Sequence, residues 1–236
     1  KGISFKINTG SKVVIVGKNG AGKSTVVKLA MGLYKPQKGN VKINGTDVFE
    51  IEYASRKKLI SCVFQDYVKY PMTIRENVGL GDLSNLYNDM KILAAMEHGT
   101  INEILQDSEF GLETVLGKIF DNSLDLSEGQ WQRLSIARTM MTDARILLLD
   151  EPVASLDASS ETQLYNVFLD LAQKKTCVIV SHRLGCAKIG NRIIVIDDGK
   201  LVEDGTHEQL MTKKNLYYEM YTAQSEFYRK GDSDHE

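Results

Sequence analysis

The stretch from Val13 to Thr25, Val-Val-Ile-Val-Gly-Lys-Asn-Gly-Ala-Gly-Lys-Ser-Thr, limits the folds open to this chain more than any other. The consecutive β-branched residues Val13 to Val16 favour a buried strand. Gly17, Gly20 and Gly22 then permit a tightly turned backbone, and Val26, Val27, Leu29, Ala30 and Met31 suit a helix after Lys23. A glycine-rich loop between strand and helix aims backbone N–H groups at phosphate. The cradle comprises Gly17, Lys18, Asn19, Gly20, Ala21, Gly22, Lys23, Ser24 and Thr25. In this G-x-x-x-x-G-K-S pattern the Lys23 side chain reaches β and γ phosphates, and the Ser24 hydroxyl is a hard oxygen ligand suited to Mg²⁺. A glycine-rich turn that binds nothing is the plain alternative, and the flanking strand and helix weigh against it.

The 236 residues, 42% of them hydrophobic, suffice for one large or two small domains with a real core. A net charge of −2 gives no electrostatic footprint for nucleic acid as a partner, and no long basic run points to an anionic membrane surface. No apolar stretch approaches the ~20 residues that span a bilayer, and the start lacks a signal-peptide pattern, so a soluble, non-secreted polypeptide is expected. Cys62, Cys177 and Cys186 form no C-x-x-C pair and read as core residues in a reducing, cytoplasmic setting. Lys1 in place of Met, with strand-like alternation already under way from Ile3 to Ile7, suggests a domain excised from something longer.

Strands are expected at Ile3 to Ile7 and Lys12 to Val16, followed by the cradle and a helix to Met31. Asn44-Gly45 within Val41 to Val48 marks an antiparallel hairpin. A short helix from Tyr53 to Lys58 leads to a strand at Ile60 to Phe64. From Pro71 to about Thr142 the pattern turns helical, with capping boxes at Thr73-x-x-Glu76 and Ser127-x-x-Gln130. Strand and helix alternation then resumes with Ile146 to Leu149, a helix from about Ser159 to Ala172, and Thr176 to Val180. Arg192 to Ile196, a turn at Asp198-Gly199 and Lys200 to Val202 follow. Such alternation implies a mainly parallel sheet. Leu216, Met220, Ala223 and Phe227 follow helical spacing, and Lys230 to Glu236 is polar enough to be disordered.

In open α/β sheets ligands bind beyond the carboxyl ends of parallel strands. The apolar runs here end in the cradle, in Gln65, in Asp150-Glu151 and in Ser181-His182. Asp150 suits the holding of Mg²⁺ through water, and Glu151 is placed to polarise an attacking water. Gln65 offers a neutral amide oxygen to Mg²⁺ or its water, and His182 a hydrogen bond to the γ phosphate. Leu126-Ser127-Glu128-Gly129-Gln130 opens a helix whose free N–H groups make an anion site, although Ser127 also serves simply as a cap.

Together these motifs resemble the nucleotide-binding domain of an ABC transporter over nearly the whole chain. The resemblance implies an α/β P-loop NTPase with a mainly parallel core sheet, an N-terminal antiparallel β part, and a helical subdomain inserted between the Q-loop and Walker B. Residues 1–230 would form this domain, with 71–142 as the helical part, 1–70 and 143–230 as the core, and 231–236 as a tail. It further implies a Walker A at Gly17 to Thr25, a Q-loop at Gln65, a signature at Leu126 to Gln130, a Walker B ending in Asp150, a catalytic Glu151, a D-loop at Ser155-Leu156-Asp157 and a switch His182. In that family two domains pair head to tail and close ATP between the Walker A of one and the signature of the other. Cofactor binding therefore falls to the cradle with Ser127, Gly129, Gln130 and Asp157, metal binding to Ser24, Gln65 and Asp150, and catalysis to Glu151, His182 and Gln65. Partners would be a second copy of the domain and a transmembrane domain, at the cytoplasmic face of the cell membrane.

Two departures from the family stand out. Glu128 replaces a residue that is usually Gly, bringing negative charge near the opposing phosphate. The adenine-stacking aromatic lies upstream of the first strands, and Phe5 reads as a core strand residue, so weak nucleotide binding is expected of the isolated chain. Val63 to Asp66, Tyr70 to Asn77, Ser181 to Leu184 and Asp204 to His207 are similar to exporters, and Trp131 to bacterial peptide or lantibiotic exporters. The alternatives are a stand-alone importer ATPase, a non-transport ATPase clamp of DNA repair or translation, and, more remotely, a P-loop kinase or GTPase. The missing Asn-Lys-x-Asp motif weighs against the GTPase.

Overall fold

A computed structural model describes residues 2–118, 122–152, 167–169, 175–188 and 190–233. The chain divides into two compact units, one from Lys1–Arg56, Ile146–Glu151 and Lys174–Glu236, the other from Lys57–Arg145 and Pro152–Gln173. The first unit is built on β1 (Lys12–Val16), whose Val14, Ile15 and Val16 have no exposed surface. With it pack β5 (Ile146–Asp150), β6 (Thr176–Val180), β7 (Arg192–Asp197) and β8 (Lys200–Gly205), which follow β2 (Lys42–Ile43), β3 (Thr46–Asp47) and β4 (Ile60–Val63) in the chain. Their order across this unit is β5-β6-β1-β7-β8. The first four run parallel and β8 antiparallel to β7. Continuous aliphatic runs suit strands buried on both faces, which is where parallel strands occur.

The register decides where these strands end. Asp150 lies opposite Val180, and Val180 opposite Ile15. The chain after each strand therefore leaves the sheet at the same edge. Backbone bonds from Glu151 N to the Val180 carbonyl (2.9 Å) and from Ser181 N to the Ile15 carbonyl (3.1 Å) extend the pattern one residue further.

The hairpin expected at Asn44-Gly45 joins β2 (Lys42–Ile43) to β3 (Thr46–Asp47), and Asn44 (φ 51°) and Gly45 (φ 87°) both take the left-handed conformations that a two-residue hairpin turn requires. Asp198-Gly199 turns β7 into β8, which extends beyond Val202 to Gly205. Two expectations are corrected. Ile3 to Ile7 alternates between exposed and half-buried positions but forms no strand among the described residues, so Phe5 is only half-buried. α7 (Leu216–Ser233) carries the helix beyond Lys230, into the polar stretch expected to be disordered; once nucleated, a helix adds residues at little cost. Before it lies α6 (His207–Lys213), opened by a Thr206 and Gln209 capping box. The helix expected from about Ser159 to Ala172 falls largely outside the described residues.

α1 (Lys23–Ala30) belongs to the first unit, and α2 (Tyr53–Leu59) contains the boundary between the units. The second unit holds β4 (Ile60–Val63), α3 (Ile74–Gly79), α4 (Asp89–His98) and α5 (Glu128–Met140). Its core joins Ile74 and Val78 of α3, Ile92 and Met96 of α4, and Trp131 and Leu134 of α5. Both expected capping boxes form, at Thr73 with Glu76 and at Ser127 with Gln130. Trp131 is thus a core residue.

A polar knot not expected from the sequence lies in this unit. The fully buried Asn77 donates through Nδ2 to the carbonyls of Tyr70, Met72 and Thr73 at 3.0 to 3.1 Å. Arg138 donates to both the Asn77 carbonyl (2.9 Å) and its Oδ1 (3.1 Å), with its guanidinium 4.9 Å from the Tyr70 ring centroid. A buried donor stripped of its partners costs about 1–3 kcal/mol, and here several groups lose theirs together. Asn77→Ala is expected to lower unfolding free energy by about 2–4 kcal/mol, read from the denaturant midpoint; a change below ~0.5 kcal/mol would show that the knot is not structural.

Candidate nucleotide site

Gly17 makes the loop after β1 possible. A Cβ on it would lie 2.1 Å from the Ile196 carbonyl oxygen, so the strand and loop approach each other more closely than any side chain allows. Gly22 caps α1 in a left-handed conformation (φ 98°). The Gly199 N–H donates to the Ala21 carbonyl (3.1 Å), tying the β7–β8 turn to the loop. Lys18, Asn19 and Gly20 are exposed along this loop, as is Thr25 in the first turn of α1.

Lys23 is 5% exposed and turns back under the loop, donating to the carbonyls of Gly17 (2.9 Å) and Lys18 (3.1 Å). Beside it the Ser24 hydroxyl donates to Asp150 Oδ1 at 2.9 Å. Glu151, in a left-handed conformation (φ 49°), turns its carboxylate towards two basic groups. Its Oε1 is 4.0 Å from Lys23 Nζ, and its Oε2 is 2.9 Å from His182 Nδ1. Lys23, Ser24, Asp150, Glu151 and His182 are thereby brought together from three segments of the first unit.

Burial sets the electrostatics. It lowers the Lys23 pKa, against the pull of the Glu151 and Asp150 charges. It also raises the Asp150 pKa, against the Ser24 hydrogen bond. Each therefore carries its charge in a place that penalises charge. The Ser24 and Asp150 oxygens are both hard ligands, and Mg²⁺ typically takes one or two protein oxygens and completes its shell with phosphate and water. This pair fits that ion.

Sequence reasoning missed Gln224 of α7. Its Nε2 donates to the His182 carbonyl (2.6 Å) and its Oε1 accepts from Leu184 N (2.8 Å), clamping the segment that carries the histidine. No local motif signals it, because the contact spans 42 residues of chain.

Gln65, Ser127, Gly129 and Gln130 belong to the second unit. Gln65 is exposed just beyond β4. Ser127 Oγ accepts from Gln130 N (3.2 Å), and Gln130 Oε1 from Ser127 N (2.9 Å), so the Gln130 side chain serves the cap of α5. Gly129 is half-buried in the first turn, whose N–H groups lie outside the helix ladder. Glu128 projects with 63% of its side chain exposed, paired with Lys69. Within the same unit Gln132 Nε2 donates to the Pro152 carbonyl. Ser155, Leu156 and Asp157 lie outside the described residues.

The model of the ABC transporter family matches residues 1–154. The chain belongs to the ABC transporter family. It is an ATP-binding cassette of that ATPase family. It is 38% identical over 220 residues to the subtilin transport ATP-binding protein SpaT of Bacillus subtilis, covering 93% of this chain and 36% of that protein. It is likewise 38% identical over 224 residues to the nisin transport ATP-binding protein NisT of Lactococcus lactis subsp. lactis, covering 95% and 37%. The structure of a bacterial Atm1-family ABC exporter with ATP bound superposes with a TM-score of 0.85 at 33% identity, covering 94% of this chain and 38% of that one. The cassette thus spans little more than a third of these relatives. Among its described residues no helix is long and apolar enough to cross a membrane.

An acid whose folded pKa is raised stabilises the fold only while protonated; as pH rises from the ordinary carboxylate range through the folded value, the unfolded state ionises first and stability falls. Ionised Asp150 therefore costs the nucleotide-free cassette stability at neutral pH. Asp150→Asn, which keeps an acceptor for Ser24, is expected to raise nucleotide-free unfolding free energy by about 1 kcal/mol at pH 7, with the gain shrinking towards pH 4. An equal gain at both pH values would rule out the charge as its source.

Proposed function

We propose that this cassette is the ATP-hydrolysing motor of an exporter, working at the cytoplasmic face of a membrane in head-to-tail pairs that drive a transmembrane domain. The convergence of Lys23, Ser24, Asp150, Glu151 and His182 at one edge of one sheet carries the reading. In this mechanism the N–H groups of Gly17 to Thr25 surround the β and γ phosphates of ATP. Lys23 leaves the Gly17 and Lys18 carbonyls to neutralise them. Ser24 and Asp150 would hold Mg²⁺, with Gln65 contributing an amide oxygen; the ion supplies charge neutralisation of the phosphates.

Glu151 accepts hydrogen bonding from the attacking water and orients it towards the γ phosphorus. His182, which contacts the Glu151 carboxylate through Nδ1, keeps Nε2 for the γ phosphate. Ser127, Gly129 and Gln130 of one copy, with Asp157, would complete the site of the other through the start of α5. Similarity to SpaT, NisT and an ATP-bound exporter supports export as the direction. The transported substrate would be selected by membrane-spanning segments.

Glu151→Gln removes the carboxylate while leaving the phosphate cradle intact. It is expected to lower phosphate release at least ~100-fold and to produce an Mg-ATP-dependent dimer in size-exclusion light scattering, absent without nucleotide. A Glu151→Gln protein that hydrolyses ATP normally as a strict monomer would overturn both the catalytic role and the paired site.

A further inference from the structure

Glu128 introduces an acid at the first residue of α5, where an unpaired carboxylate would oppose an incoming phosphate. The second unit gives that carboxylate two partners. Lys69 Nζ donates to its Oε1. Tyr67 Oη lies 3.1 Å from its Oε2 and 3.0 Å from the Glu128 carbonyl oxygen, sharing one proton between them. Tyr67 is half-buried against the apolar core of its unit, so its hydroxyl is a fixed point. Burial and the bond to Glu128 push the Tyr67 hydroxyl pKa up to about 12, so it remains a donor at neutral pH. Lys69 and Tyr67 both follow Gln65 closely in the loop after β4.

We propose that Lys69 and Tyr67 are positioning residues that hold and neutralise the Glu128 carboxylate, keeping the start of α5 open to the phosphate of a nucleotide bound by a second copy. The proposal rests on the paired-site reading above. It also makes the Gln65 loop a support of the signature helix: displacing Tyr67 and Lys69 releases a negative charge at the phosphate-facing turn. The Gly usual at this position of the family has no charge to restrain, so the two partners matter here because of Glu128.

The test measures Mg-ATP hydrolysis by the intact protein as a function of ATP concentration in Lys69→Met, Glu128→Gly, the double variant and Ser127→Arg. Lys69→Met is expected to raise KM roughly threefold to tenfold with kcat at saturation changed by less than about twofold. In the Glu128→Gly background the same substitution is expected to leave KM unchanged, a rescue that simple loss of a surface contact would not give. An equal rise of KM in both backgrounds, or no rise in either, overturns the positioning role, provided Ser127→Arg abolishes hydrolysis. If Ser127→Arg hydrolyses ATP normally, the paired site itself is wrong and the role of Lys69 and Tyr67 falls with it.

Discussion

The alignment of strand ends across the parallel sheet is the constraint on which the site depends. Because Asp150 is opposite Val180 and Val180 is opposite Ile15, the residues that follow leave the sheet together. A slip of one residue would turn every side chain of a strand to the other face. The aliphatic runs of β1, β5 and β6 are buried on both faces, so the penalty for a slip falls on the backbone ladder and on tight packing. Gly17 is part of the same constraint: its missing Cβ lets the loop pass so close to the Ile196 carbonyl oxygen that a Cβ there would lie only 2.1 Å from it.

What this geometry assembles is electrostatically expensive. Lys23 and Asp150 are 5% and 3% exposed, and burial opposes the charged form of both. Local partners offset part of this cost: loop carbonyls for the ammonium, a hydroxyl for the carboxylate, and mutual attraction across the site. Such partly satisfied charges are well suited to a polyanionic ligand with its cation, since binding completes their coordination. Glu151 stands between Lys23 and His182, and the Gln224 clamp on the His182 carbonyl shows that the distant helix α7 also shapes this edge.

The second unit follows a different logic. Its helices are joined by apolar packing around Ile74, Met96 and Leu134, and by a saturated polar knot at Asn77. The start of α5 is fixed twice, internally by the Ser127 and Gln130 capping box and laterally by Tyr67 and Lys69 through Glu128. A helix N-terminus held this firmly keeps the direction of its free N–H groups, which is what an anion-recognising turn needs.

The sequence by itself determined the elements whose signals are local. The β-branched run and three glycines specify the strand, loop and helix around Lys23; Asn44-Gly45 specifies a hairpin; the Thr73 and Ser127 patterns specify helix starts. In each case the stabilising partner lies within a few residues, so the reading needs no knowledge of the fold. Only the tertiary structure decided that Ile3 to Ile7 lacks a ladder among the described residues, because a strand requires a partner as well as alternation. It alone revealed the Arg138 bonds to Asn77 and the Gln224 clamp, each linking residues far apart along the chain, and the capture of Glu128 by Tyr67 and Lys69. Local sequence shows that an acid stands at the start of α5; where its charge goes depends on residues about sixty positions away, brought there by the packing of the core.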